Sequence, residues 1–534
     1  MYDPTGLTVL VLFGVVILAL AIIAARTGAN TPVLLTLGGV GLAFVPVTAG
    51  LRVPPELVVL LFLPALLYWE ALTTSLQELR HDLRTLVLSS VFLVLATAGA
   101  VAVVAHYGLG LGWPVAFVLG AIVAPTDATA VTAVARSLPR RPLTMLRAES
   151  LVNDGTALVV FSVAVAVAMG QEEFRPLDAL GDFAISYLGG IVVGLVVAGL
   201  AILARRAADD SLLSSVISVL TPFVAFLLAE EIHASGVLAV VVCGLAVSRV
   251  GPRIISARTR VQSHSFWQVT TFLLNAALFV LVGLQLPRAL TGVSSRSLAA
   301  ALGAAVLVAA VVVGTRMAWY YTIPYVIRTL DRRVAQRARR MGARARLPLG
   351  WSGFRGAVSL AIALAVPLTT VDGAPFPDRD LLIVVACGVI LVTLVGQGLT
   401  LPWVIRVARY PPDTRFDEEL ALARRRTLDA ALEVLPRLAA EQDVPDALAR
   451  RVRVEHEHRR HVLDPTHGGD DDALDDAIED VAVENALRIA MLDERRRQLL
   501  HLRDQAVIDD SVVLRVQAEL DNEELGLRGA PGPE

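Results

Sequence analysis

Apolar residues in this chain come in long runs. About thirteen runs can cross a bilayer, at residues 6–25, 32–50, 55–76, 84–106, 113–135, 143–169, 179–204, 211–230, 235–249, 266–286, 298–327, 352–372 and 381–405. A hydrocarbon core takes about 20 residues of helix. Lipid offers no partner to a backbone N–H or C=O, so only helices and closed barrels span it. The runs therefore predict an all-α polytopic membrane protein of about 13 transmembrane helices. The least distinct boundary lies between the eighth and ninth runs, from Glu230 to Ser235. The first run has no basic n-region and no small-residue cleavage site, so it reads as a retained span.

Past Pro411 the pattern changes. FDEELALARRRTLDAALEVLPRLAAE places apolar residues at helical spacing with a charged opposite face. An acidic, glycine-containing break follows (HGGDDDALDDAIED), then a second amphipathic stretch, ENALRIAMLDERRRQLLHLRDQA. Two units are expected: a transmembrane domain over 1–410 and a helical tail over 411–534. Composition agrees, since 55% of residues are hydrophobic, against about 45–50% in a soluble domain.

The net charge of -3 says little, but the placement of the arginines says more. The chain has no lysine. With thirteen spans and an external N-terminus, one set of loops holds Arg26, Arg80, Arg84, Arg136, Arg140, Arg141, Arg205, Arg206, Arg249, Arg253, Arg258, Arg260 and the run from Arg328 to Arg346. The other holds only Arg52, Arg175, Arg288, Arg296 and Arg379. The positive-inside rule makes the first set cytoplasmic, and the tail with it. The location is then the plasma (inner) membrane. Cys243 and Cys387 lie in apolar runs and read as small core residues.

The chemistry lies in what interrupts the runs. Asp127 falls in the fifth and Asp154 in the sixth, beside Asn153 and one turn after Glu149. A mid-membrane carboxylate costs roughly 2.5–3.5 kcal/mol on insertion scales and marks an ion or proton pathway. On a helix, Glu149, Asn153, Ser150 and Asp154 fall at about 0°, 40°, 100° and 140°, on one side. Interhelical hydrogen bonding alone would explain a polar patch, but it rarely needs two carboxylates. A hard monovalent cation wants oxygen ligands, and a carboxylate in low dielectric holds a proton or a cation, not both. That competition is an exchanger in minimal form.

Two runs are also broken. Pro125 precedes Asp127, and WSGFRGAVSLA flanks Arg355 with Gly353 and Gly356. Such breaks, seven spans apart, suit discontinuous helices of two inverted repeats. Arg355 needs an acid, because an unpaired guanidinium in lipid is expensive. Glu70, Asp127, Glu149 and Asp154 are available. Pairing with Asp154 would block an exchange site, so Glu149 is the expected partner, in a structural pair.

APTDATAV, ESLVNDGTALV, AEEIHASGVLAVVVCGL, FLLNAALFVLVGLQL and WSGFRGAVSLAIALAVP resemble, in order, motifs of the cation:proton antiporter-1 family, which holds the bacterial NhaP-type and animal NHE-type sodium/proton exchangers. The tail segment from Glu494 also resembles the tails of bacterial members. The resemblance implies Asp154 as the exchanging carboxylate, with Thr126 and Asp127 at an unwound crossing. It implies Na+ held at Asp154, Ser150 and Thr126. Asn153 stands where electrogenic relatives carry a second Asp, which implies electroneutral exchange. Glu149 and Arg355 would be the ion pair, and a homodimer is implied. Relatives commonly carry Pro-Pro-x-x-x-Glu in the third span, where the Glu lines the cytoplasmic funnel. FLPALLYWEAL puts Trp69 at that position and Glu70 one residue later, so Glu70 is a candidate for the funnel offset by about 100°.

Asn275, and His233 with Ala234 and Ser235, match motifs that packing explains equally well. Arg316 pairs within the bundle or snorkels. His456, His458 and His461 suit a solvated helix face better than a zinc site. The expected function is antiport of Na+, with Li+ as a further ion, against H+ for pH and sodium homeostasis. A K+/H+ antiporter is the nearest alternative. A passive channel would need a continuous polar stripe, and Asn153 with the paired arginine argues against a membrane hydrolase. No cofactor beyond the transported ions and no nucleic-acid partner is expected.

Overall fold

In lipid every backbone amide must find its partner within its own helix or in a buried break, and the molecule is built on that rule. The computed structural model describes residues 4–48, 54–74, 86–127, 138–170, 176–208, 210–292, 298–330, 341–410, 415–462, 488–499, 501–502, 505 and 510–528. The acidic break at 467–480 and residues 331–340 of the arginine run lie outside them. Two compact units divide the chain at 1–412 and 413–534.

Among the described residues, the regular structure of the first unit is all helical, save an isolated bridge between Thr369 and Pro375. Its helices are α1 (Pro4–Thr27), α2 (Thr31–Leu42), α3 (Pro55–Thr73), α4 (Leu93–Leu109), α5 (Trp113–Val123), α6 (Arg140–Ala168), α7 (Pro176–Ala207) and α8 (Ser211–Glu231). They continue as α9 (Gly236–Ile254), α10 (Ala257–Gly292), α11 (Leu298–Leu330), α12 (Ala343–Trp351), α13 (Ala357–Leu364), α14 (Arg379–Val392) and α15 (Gly398–Ala408). A π-helical turn, Leu88–Phe92, leads into α4, and another, Thr393–Gln397, joins α14 to α15. Among the described residues, eight helical stretches are long and apolar enough to cross a membrane, and four shorter apolar helices accompany them.

The boundary least distinct in sequence is sharp in structure. His233 takes a left-handed φ of 58°, which reverses the chain after α8. Ser235 Oγ then accepts from Leu238 N at 3.2 Å and caps α9. This motif is a turn and a cap, and Glu230 Oε1 accepts from Gly236 N across it.

Two apolar clusters hold the unit together. One gathers α3, α9 and α10 with the end of the chain's last span, through Leu63, Val240, Leu278 and Leu401. The other gathers α4, α5, α11, α13 and α14, through Val101, Leu119, Val308, Ile362 and Val385. The site lies where α5, α6, α12 and α13 meet. Leu10, Ile185 and Leu203 point outward, as lipid permits.

The second unit contains α16 (Arg415–Glu441), α17 (Asp446–Val462), a helical stretch at 488–499 and α18 (Asp510–Arg528). Leu492, Leu499 and Leu520 form its small core. Arg496 ties the same elements by pairing with Asp521 at 2.7 Å and Glu524 at 2.5 Å.

Candidate ion site at paired helix breaks

α5 stops at Val123 because Pro125 has no N–H to continue it and disfavours helix in the residue before it. α12 stops at Trp351, and α13 begins at Ala357, five residues intervening. Each break leaves backbone groups unpaired, and the two breaks satisfy one another. Asp127 N donates to Phe354 O at 2.8 Å. Ala357 N, in the first turn of α13, donates to Asp127 Oδ2 at 3.2 Å. Arg355 Nε donates to Val123 O at 2.8 Å and Nη2 to Ala124 O at 3.3 Å, while Nη1 donates to Gly353 O. A carboxylate thus faces one helix start and a guanidinium one helix end, as the helix dipoles favour. Gly356 makes the approach feasible, since a Cβ there would lie 1.7 Å from Asp127 Oδ2.

α6 closes the site. Ser150 Oγ donates to Thr126 O at 2.6 Å, and Asn153 Nδ2 donates to Thr126 Oγ1 at 2.7 Å. Asp154 is 1% exposed, and its Oδ1 has no hydrogen-bond partner; Asn153 Oδ1 is in the same condition. Asp154 lies within electrostatic reach of Glu70 and Asp127. Glu70 Oε1 is buried and also without a partner. The helix breaks and one face of α6 therefore bring together Thr126, Asp127, Ser150, Asn153 and Asp154, with Glu70 on α3 nearby. Asn275 is partly buried on α10, and His456 in α17 bonds its own helix, Nδ1 to Val452 O at 2.9 Å.

The expected pairing of Glu149 with Arg355 is not what the structure contains. Glu149 accepts from Arg316 Nη1 and from the Tyr320 hydroxyl, both on α11. Arg316 Nε also donates to Leu349 O at 3.2 Å. The physical reason is the position of Arg355, whose guanidinium is drawn to the carbonyls of the two helix ends. The signal for Arg316 was available, because it is the arginine in the middle of the eleventh apolar run. Tyr320, one helical turn on, carried none. Thr393 was also missed: its Oγ1 accepts from Arg355 N at 3.3 Å from a π-helical turn that no periodicity announces.

The comparisons with known proteins follow the same lines. The profile of the sodium/hydrogen exchanger, transmembrane family matches residues 13–407. An uncharacterized Na+/H+ exchanger of Mycobacterium tuberculosis is 45% identical over 524 residues, covering 98% of this chain and 96% of that one. The Na+/H+ antiporter ApNhaP of Aphanothece halophytica is 32% identical over 406 residues, 75% of this chain and 74% of its own. A sodium, potassium, lithium and rubidium/H+ antiporter of Bacillus pumilus is 30% identical over 444 residues, 79% and 66%. The solved structure of the sodium proton antiporter MjNhaP1 from Methanocaldococcus jannaschii superimposes with a TM-score of 0.59 at 20% identity, covering 76% of this chain and 98% of that one. A polytopic helical fold with a buried polar site defines the class, a multi-pass membrane transporter. The chain belongs to the sodium/hydrogen exchanger family.

Proposed function

We propose that this protein exchanges Na+ for H+ across the plasma membrane, one for one, with Asp154 as the group for which the two compete. One observation carries the reading: Asp154 Oδ1 is buried without a partner beside two mutually satisfied helix breaks. A cation there would meet the Asp154 carboxylate and the oxygens of Ser150 and Thr126. A proton taken instead neutralises the carboxylate for the return. Asn153 adds no second charge, which supports electroneutrality. Asp127 is engaged with the start of α13, and Glu70 is the candidate for the cytoplasmic funnel. The reading includes thirteen spans with the two broken helices crossing, a cytoplasmic tail, a homodimer, no bound cofactor, and a role in pH and sodium homeostasis.

The test is cation-induced collapse of a pH gradient in everted vesicles, run with Na+, Li+ and K+. Wild type should respond to Na+. Asp154→Asn should insert normally and lose exchange, and normal sodium-driven proton flux in that variant would sink the assignment. The Bacillus pumilus relative, whose name includes potassium, favours K+/H+ exchange as the second reading. A response to K+ alone would select it.

A further inference from the structure

We propose that the end of the last span holds the headgroup of an anionic phospholipid. Arg344 of α12 and Trp403, Arg406, Val407 and Arg409 of the α15 end line a cavity of about 410 Å3. Three guanidiniums share this space. Among the described residues none of the three stands in an ion pair, and Arg406 is held only by its own helix, Nε to Pro402 O at 3.4 Å. Arg409 sits in the left-handed region at φ 52°, where α15 ends, and lines the same cavity.

The apolar part of the lining is Trp403 and Val407, and Trp403 ends an exposed apolar strip of the same span. Val392, Val395, Leu399 and Trp403 are all exposed, Leu399 at 76% and Trp403 at 60%. They follow one side of the stretch Arg379–Ala408, whose 30 residues are long enough to cross a bilayer. That apolar strip ends in a tryptophan and then in arginines. Tryptophan prefers the headgroup level of a membrane, and basic pockets between spans take anionic headgroups. Guanidinium forks match phosphate oxygens two at a time. An acyl chain would lie along Val395 and Leu399, and the phosphodiester would enter between Arg344 and Arg406. The strip is why a lipid is favoured over a soluble anion: a free phosphate would have no use for it.

This inference depends only on α14–α15 being a membrane span, and its readout is binding, so it stands or falls apart from the transported ion. The full chain is purified in detergent, stripped of lipid and titrated with phosphatidylglycerol or phosphatidylcholine under native mass spectrometry. Wild type should retain one phosphatidylglycerol per chain at lipid levels where phosphatidylcholine shows none. Arg344→Gln with Arg406→Gln should weaken that site roughly twenty-five-fold, at about fivefold for each arginine near an anionic headgroup. Arg406→Gln alone, an exposed change that folding tolerates, should weaken it about fivefold. Arg253→Gln with Arg260→Gln, which removes two exposed arginines outside the cavity, should match wild type. Unchanged binding in both cavity variants would overturn the proposal. So would an equal loss in the distant pair, which would mean unspecific charge. Glycerol phosphate bound as tightly as the lipid would mean a soluble-anion site and would overturn it as well.

Discussion

Arg355 carries five N–H donors in a fixed plane, and backbone carbonyls at both helix breaks accept from them. It acts as a clasp between α5 and α13. Glu149 is instead surrounded by Arg316 and the Tyr320 hydroxyl, with both side chains of the ion pair at or below 2% exposure. Removing one partner of such a pair strands the other charge, at about 3–5 kcal/mol. Glu149→Gln and Arg316→Gln should therefore each lower the melting temperature in detergent, and the double variant should recover part of the loss. The same cycle on Glu149 and Arg355 should show weaker coupling, because the Arg355 guanidinium bonds backbone carbonyls and not Glu149. Stronger coupling to Arg355 than to Arg316 would overturn the pairing.

Helices in lipid gain little from hydrophobic burial against one another and rely on close packing at small residues. α2 and α10 show this. A Cβ on Gly39 would lie 2.1 Å from Val280 O, and one on Gly283 would lie 1.9 Å from Thr36 O. Neither contact is a movable side-chain end, so the backbones would have to part. Gly39→Ala and Gly283→Ala should each cost about 1–3 kcal/mol, the usual range for overpacking. Gly303 on α11 has nothing within 4 Å of such a Cβ, so Gly303→Ala should melt at or slightly above wild type. Equal melting of all three variants would refute the close approach. At the same scale, π-helical turns and proline breaks place polar groups that a regular helix would bury in its own hydrogen bonds.

Site groups all fall within residues 1–412, and residues 413–534 form a separate compact unit with its own small core. A chain ending at Pro412 should keep its ion preference when exchange is normalised to inserted protein, with a changed rate or pH dependence. Complete loss of exchange in a well-inserted truncation would make the tail part of the transport machinery. If one carboxylate serves both ions, the net charge moved per cycle is zero. Exchange in proteoliposomes should then be insensitive to a potassium-diffusion potential set with valinomycin. Clear acceleration by the potential would require a second charge in the site.

What the chain determined by itself follows from local rules. The lengths of the apolar runs, the change of pattern at Pro411 and the side of α6 that carries Glu149, Ser150, Asn153 and Asp154 depend on spacing, and spacing is written in sequence. So were the two breaks, because Pro125 and the glycines around Arg355 act on their own backbone. Partner choice was not local. Four acids were open to Arg355 in one dimension, and the tertiary structure chose none of them, because the carbonyls at the helix ends came first. Arg316 lies 167 residues from Glu149, and only the packing of α11 beside α6 brings them together. The same holds for Asp127 at the start of α13, and for the three arginines that share one cavity with Trp403.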